Sequence, residues 1–99
     1  MEKITCSAVH YLEPQENKMV HLPRNIDEGI VIAGHRHCNC LEVLGIIYGK
    51  VDQTMVIQWF LTNKNRFLDR EDARKVATAA KQIIKQVSGA EMLYSENLY

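Results

Sequence analysis

Apolar and polar residues alternate in part over residues 3–11, with Ile4, Cys6, Ala8 and His10 to one side and Thr5, Ser7, Val9 and Tyr11 to the other. A period of two predicts a strand. Glu13-Pro14-Gln15-Glu16-Asn17 is a turn cluster, and Pro14 has no N–H to give a ladder. Residues 19–22 read as a returning strand ended by Pro23, so the chain is expected to open on a β-hairpin. Ile30-Val31-Ile32-Ala33 is a β-branched run that suits either a buried strand or the entry to a helix, and Gly34 breaks it. Leu41, Leu44, Ile47 and Tyr48 then recur at helical spacing and predict a helix over residues 38–48. Gly49 is placed to cap it in the left-handed conformation. Gly45 inside it costs about 1 kcal/mol.

Residues 55–61 hold Val56, Ile57, Trp59 and Phe60, all with high strand preference. Thr62-Asn63-Lys64-Asn65 forms a turn, and residues 66–68 return as a short strand. Asp69 is a good helix N-cap, with Asp72 three residues on. Ala73, Val76, Ala77, Ala80, Ile83, Ile84 and Val87 follow at i, i+3, i+4, i+7 and predict an amphipathic helix over residues 70–87. The apolar residues of the 93–99 tail are expected to dock. The sum is one α+β domain over residues 1–99, a small antiparallel sheet of two hairpins packed by two helices. Trp59, Phe60 and Phe67 read as core rather than as a base-stacking platform.

The densest chemistry is His35-Arg36-His37-Cys38-Asn39-Cys40. As a metal site, His35, His37, Cys38 and Cys40 would be the ligands, but zinc takes ligand pairs from separated segments and there is no clear second pair. Neighbours at i,i+1 and i,i+2 also point apart on a helix. The reading is therefore no metal and no cofactor. The same segment, after Gly34, opens a helix, and helix N-termini present unpaired N–H groups to anions. Arg36 adds a planar fork for oxyanions and His37 a group that titrates near neutrality. Asn39 completes that candidate set. A second cluster, Arg66-Phe67-Leu68-Asp69-Arg70-Glu71, also opens a helix, and Arg66 and Arg70 could add oxyanion contacts. No Ser/His/Asp triad, Walker loop or H-E-x-x-H occurs, which leans away from an enzyme.

Charge narrows the partners. Twelve basic and twelve acidic residues cancel, so there is no electrostatic footprint for non-specific nucleic-acid binding. No apolar run exceeds four residues, far short of the ~20 that span a bilayer, and no signal peptide is visible. Three cysteines, an odd number, suit a reducing compartment.

The motifs resemble those of a family of small phage and prophage proteins. Gly34-His35-Arg36-His37 is similar to its G-x-R-H segment. Residues 58–73, with Arg66-Phe67-Leu68-Asp69-Arg70-Glu71, resemble Q-G-F-x-x-x-x-G-R-F-x-D-R-x-E-A. Ala80-Lys81-Gln82 is similar to A-G-Q, and Leu93-Tyr94-Ser95-Glu96-Asn97-Leu98 to L-[YF]-S-E-D-L. Trp59, Asn65 and Lys81 stand where that pattern has glycine, and Asn97 where it has aspartate. The resemblance implies a phage protein acting in the cytoplasm of a host bacterium; by analogy, small phage proteins without a catalytic motif often counter host defence. The leading reading is a non-catalytic homo-oligomer binding an anionic, nucleotide-like ligand, such as a host immune signal that it would sequester. Arg36 and His37 would contact phosphate, Arg66 and Arg70 would add charge, and Gln82 would read a polar edge. The alternatives are an anti-CRISPR-like inhibitor that binds a host defence protein, and a phosphodiester hydrolase using His37 with Glu71 or Asp69.

Overall fold

The computed structural model of the protein describes residues 1–12, 22–26, 29–84 and 92–98. Strand β1 spans Ile4–Tyr11, β2 Ile30–Gly34, β3 Val56–Thr62 and β4 Phe67–Leu68; helix α1 spans His37–Tyr48 and α2 Arg70–Ala79. Short 3₁₀ turns occupy Gln53–Met55 and Ser95–Asn97. The four strands form one antiparallel sheet in the order β2-β1-β3-β4. This is a small α+β fold. The β-branched run at residues 30–33 settles as a strand, paired with β1 through Ala8 and Ala33. Most of the predicted returning strand, residues 19–21, lies outside the described residues, and Leu22 is in no strand. The second hairpin forms as read: Asn65 turns the chain at φ 59 and Phe60 faces Leu68.

Both helices pack on one face of the sheet. Val9 and Tyr11 of β1 meet Cys40 and Leu44 of α1, while Phe60 and Leu68 meet Ala73 and Ala77 of α2. Phe60 lies directly opposite Ser7, and opposed residues share a face. Ile4 joins the Phe60 cluster although simple alternation sets it with Cys6 and Ala8. The register shifts between Ile4 and Cys6, and such a bulge turns the strand so that Ile4 points to the helices. On the other face Trp59 stacks on Phe67 at 5.3 Å, and His10 meets Phe67 edge-on. The Asn25 side chain, held in a turn, takes the place of a strand partner for β4: its Nδ2 donates to the Phe67 carbonyl and its Oδ1 accepts the Phe67 N–H. Gly29 cannot be replaced, since at φ 82 a Cβ would lie 2.3 Å from the Tyr11 carbonyl oxygen.

Helix α2 ends well before residue 87. Ala80 is its cap and Lys81 adopts φ 58. The Lys81 N–H donates to the Thr78 carbonyl and the Gln82 N–H to that of Ala77. Those two bonds define a Schellman stop, which normally uses glycine at the left-handed position. Lys81→Gly is therefore expected to stabilise the fold by about 0.5–1 kcal/mol. Urea unfolding measures this, and a lower midpoint would contradict it.

Candidate anion-binding cleft

Leu93 builds the cleft from the C-terminal side. Fully buried against Phe60 and Ala73, it pins the tail to the start of α2, its N–H donating 2.9 Å to the Arg70 carbonyl. The Ile84 N–H donates to the Asn97 carbonyl, and the Asn97 side-chain oxygen accepts the Tyr94 N–H at 2.8 Å. Tyr94, Ser95 and Glu96 are thereby held opposite the start of α1. Between them opens a cleft of about 230 Å³, walled by Arg36, His37 and Cys38 on one side and by Gln58 and Arg70 on another.

Arg70 is the group best placed to receive an anion. Its Nη1 donates 2.9 Å to the Leu93 carbonyl. Its guanidinium carbon lies 5.6 Å from the Phe60 ring centre and 5.2 Å from that of Tyr94. Among the described residues no carboxylate reaches it within 4 Å. Burial pulls its pKa below the ordinary value, with Tyr94 and Glu96 opposing, yet arginine stays a cation. A half-buried cation with aromatic faces and one carbonyl as partners keeps much of its charge uncompensated.

His37, the first residue of α1, is buried with its ring edge-on to Phe60 at 5.0 Å. Its Nε2 lies 2.6 Å from the Trp59 carbonyl oxygen. A carbonyl only accepts, so Nε2 carries the proton and Nδ1 is the basic atom of the neutral ring. Burial lowers the His37 pKa, against the Trp59 hydrogen bond, which raises it. Arg36 precedes the helix in extended backbone; its Nη1 reaches the Glu96 carboxylate at 3.6 Å and Ser95 Oγ at 3.4 Å.

The two helix starts differ. At α2, Asp69 accepts the Asp72 N–H, and Glu71 and Asp72 put acid in the first turn, so its positive end is already answered. The first turn of α1 holds no acid. The amides of His37 and Cys38 sit there at the positive end of a twelve-residue helix.

Of the residues named from sequence, Arg36, His37 and Arg70 come together. Asn39 turns back to accept the Arg36 N–H at 3.1 Å. Gln82 lies against β1: Ile4 N–H donates to its Oε1 and its Nε2 donates to the Ile4 carbonyl, both at 2.7 Å. The Arg66 fork grips Glu2, at 2.8 Å from Nε and 2.5 Å from Nη2. The four metal candidates do not converge: His37 faces Trp59, Cys40 is buried with its thiol toward the Ser7 carbonyl, and Cys38 is exposed. Among the described residues no three His, Cys, Asp or Glu side chains stand together as metal ligands. Tyr94, Ser95 and Glu96 were not among the candidates, although the terminal motif contained them.

Glu2 supplies a test of the Arg66 geometry. Arg66 first, then the Thr62 hydroxyl, lower its pKa to about 2. A lowered carboxyl pKa stabilises the fold above the unfolded value of 4.5, and that contribution is lost as pH falls toward 2. Glu2→Gln is expected to lower the melting temperature at pH 7 and to shrink the difference from wild type between pH 4.5 and 2. A constant difference across that range would contradict it.

A family model described as the phage T4 y16D protein matches residues 3–99. The chain belongs to that family. No curated protein and no solved structure matches it. The y16D assignment agrees with the phage-protein resemblance of the motifs. No helix among the described residues of this y16D-family chain is long and apolar enough to cross a membrane.

Proposed function

We propose that this phage protein is a non-catalytic binder of a small anionic, phosphate-bearing ligand, seated between the start of α1 and Arg70. The observation that carries the reading is the Arg70 guanidinium, half buried in a cleft with no carboxylate partner among the described residues. Arg36 and the open end of α1 add positive potential, and Glu96 offsets part of it. At about 230 Å³ the cleft is smaller than ordinary ligand pockets, which begin near 300 Å³. It suits the anionic head of a ligand rather than a whole nucleotide. A second depression of about 300 Å³, beside Trp59 and Met92, shares Arg70 with the first and could take the remainder. The hydrolase alternative has less support, since His37 is committed to the Trp59 carbonyl and Asp69 to capping α2.

Calorimetric titration with sulfate, whose charge is constant across the range, tests the reading. One site per chain is expected. Affinity should rise as pH falls below 6.5, the ordinary value for His37, because the anion favours the imidazolium form. Absence of saturable binding by sulfate, phosphate and nucleoside monophosphates at millimolar concentration would defeat it.

A further inference from the structure

The cleft between α1 and Arg70 is not uniformly positive. Arg70 faces it as a cation, but hydrogen-bond acceptors share its walls. His37 is buried yet lines the cleft. Its Nε2 donates to the Trp59 carbonyl, so the neutral ring keeps its lone pair on Nδ1. Nδ1 has no hydrogen-bond partner among the described residues. Gln58, half-buried on β3, brings a side-chain amide that is likewise unmatched among them. Glu96 adds a carboxylate, one oxygen of which meets Arg36. The His37 ring centre lies 5.0 Å and the Arg70 guanidinium carbon 5.6 Å from the centre of the Phe60 ring, so acceptor and cation share one support. An anion without a proton would turn its lone pairs toward those acceptors and leave them unsatisfied, which costs free energy in a half-buried site. A ligand with a hydroxyl beside its oxyanion satisfies both kinds of group.

We propose that His37 determines specificity: its Nδ1, fixed as an acceptor by the Trp59 carbonyl, selects a phosphate-bearing ligand with a hydroxyl next to the charged oxygens. This rests on the anion-binding reading above and names the ligand class within it. The oxyanion sits on Arg70 and the hydroxyl donates to Nδ1. Gln58, which can donate or accept, meets the remaining edge. Two sources supply this chemistry, the P–OH of hydrogen phosphate and a sugar hydroxyl beside a phosphorylated carbon.

Calorimetric titration at about pH 8 is the test, because His37 is then neutral, well above its ordinary 6.5. At that pH phosphate and sulfate are dianions of similar size, and only phosphate carries a proton. The second pair of probes is a ribonucleoside phosphorylated on the carbon beside a free hydroxyl, and its deoxy counterpart. In at least one pair the hydroxyl-bearing member is expected to bind roughly tenfold tighter, and the pair that discriminates names the source. His37→Phe keeps an aromatic ring against Phe60 and should erase the preference. ¹⁵N spectra of the wild-type imidazole give a readout that needs no variant. Nδ1 should resonate as a bare acceptor in the free protein and shift on adding the preferred ligand, but not its hydroxyl-free partner. Equal affinities within both pairs, a preference that survives His37→Phe, or an Nδ1 that carries the proton in the free protein would overturn the inference and leave the anion cleft standing. Binding of none of the four probes would overturn both.

Discussion

Arg70→Ala is expected to weaken anion binding by roughly ten- to a hundredfold, while Arg66→Ala leaves it unchanged. A hydrogen bond to a charged group contributes about 1.5–3 kcal/mol, and each 1.4 kcal/mol is tenfold in affinity. Arg70 faces the cleft without a carboxylate partner among the described residues. Arg66 has its fork filled by Glu2. The pair separates a specific site from general positive charge, because both variants remove one cation. Arg70→Lys should retain part of the affinity, the charge surviving without the planar fork. Because Arg70 also holds the Leu93 carbonyl, urea unfolding should accompany each titration. Equal losses from Arg66→Ala and Arg70→Ala would contradict the assignment.

Phe60→Ala is expected to cost about 3–5 kcal/mol, the range for emptying a buried aromatic site. Small domains hold only about 5–15 kcal/mol in total, so this change removes a large share. Phe60 is fully buried, packs against Ala73, Ala77 and Leu93, and carries His37 and Arg70 on its ring. The variant should therefore unfold at much lower urea and also lose anion binding before it unfolds. A loss below about 1 kcal/mol, the mark of a surface substitution, would show that Phe60 is not the centre of this cluster.

Much of the fold was legible because its signals were local. The β3 run, the Asn65 turn, the Asp69 cap and the Gly49 stop each depend on a few adjacent residues, and each forms where the pattern placed it. The end of α2 was not legible, for a physical reason. Apolar spacing continues through Ile83 and Ile84, and the stop rests on Lys81, a residue that gives no warning of positive φ. The bulge that turns Ile4 inward was likewise invisible, because it arises from pairing with β3.

The candidate site was legible in its residue types and not in its assembly. Arg36, Arg66 and Arg70 look alike in sequence. Their difference lies in partners far along the chain: Glu2 takes Arg66, Glu96 takes part of Arg36, and the Leu93 carbonyl takes one edge of Arg70. The terminal motif contained the missing wall, but only the burial of Leu93 and the Asn97 bonds bring it to the cleft.

The most direct measurement is a phosphate titration of isotopically labelled protein followed by ¹H–¹⁵N NMR. Saturable shifts are expected, centred on the amides of His37 and Cys38, the Arg70 side-chain N–H and the amides of Tyr94 and Ser95, with Arg66 and Gln82 unmoved. Shifts centred on Arg66 and Glu2, or no shifts at millimolar phosphate, would contradict it.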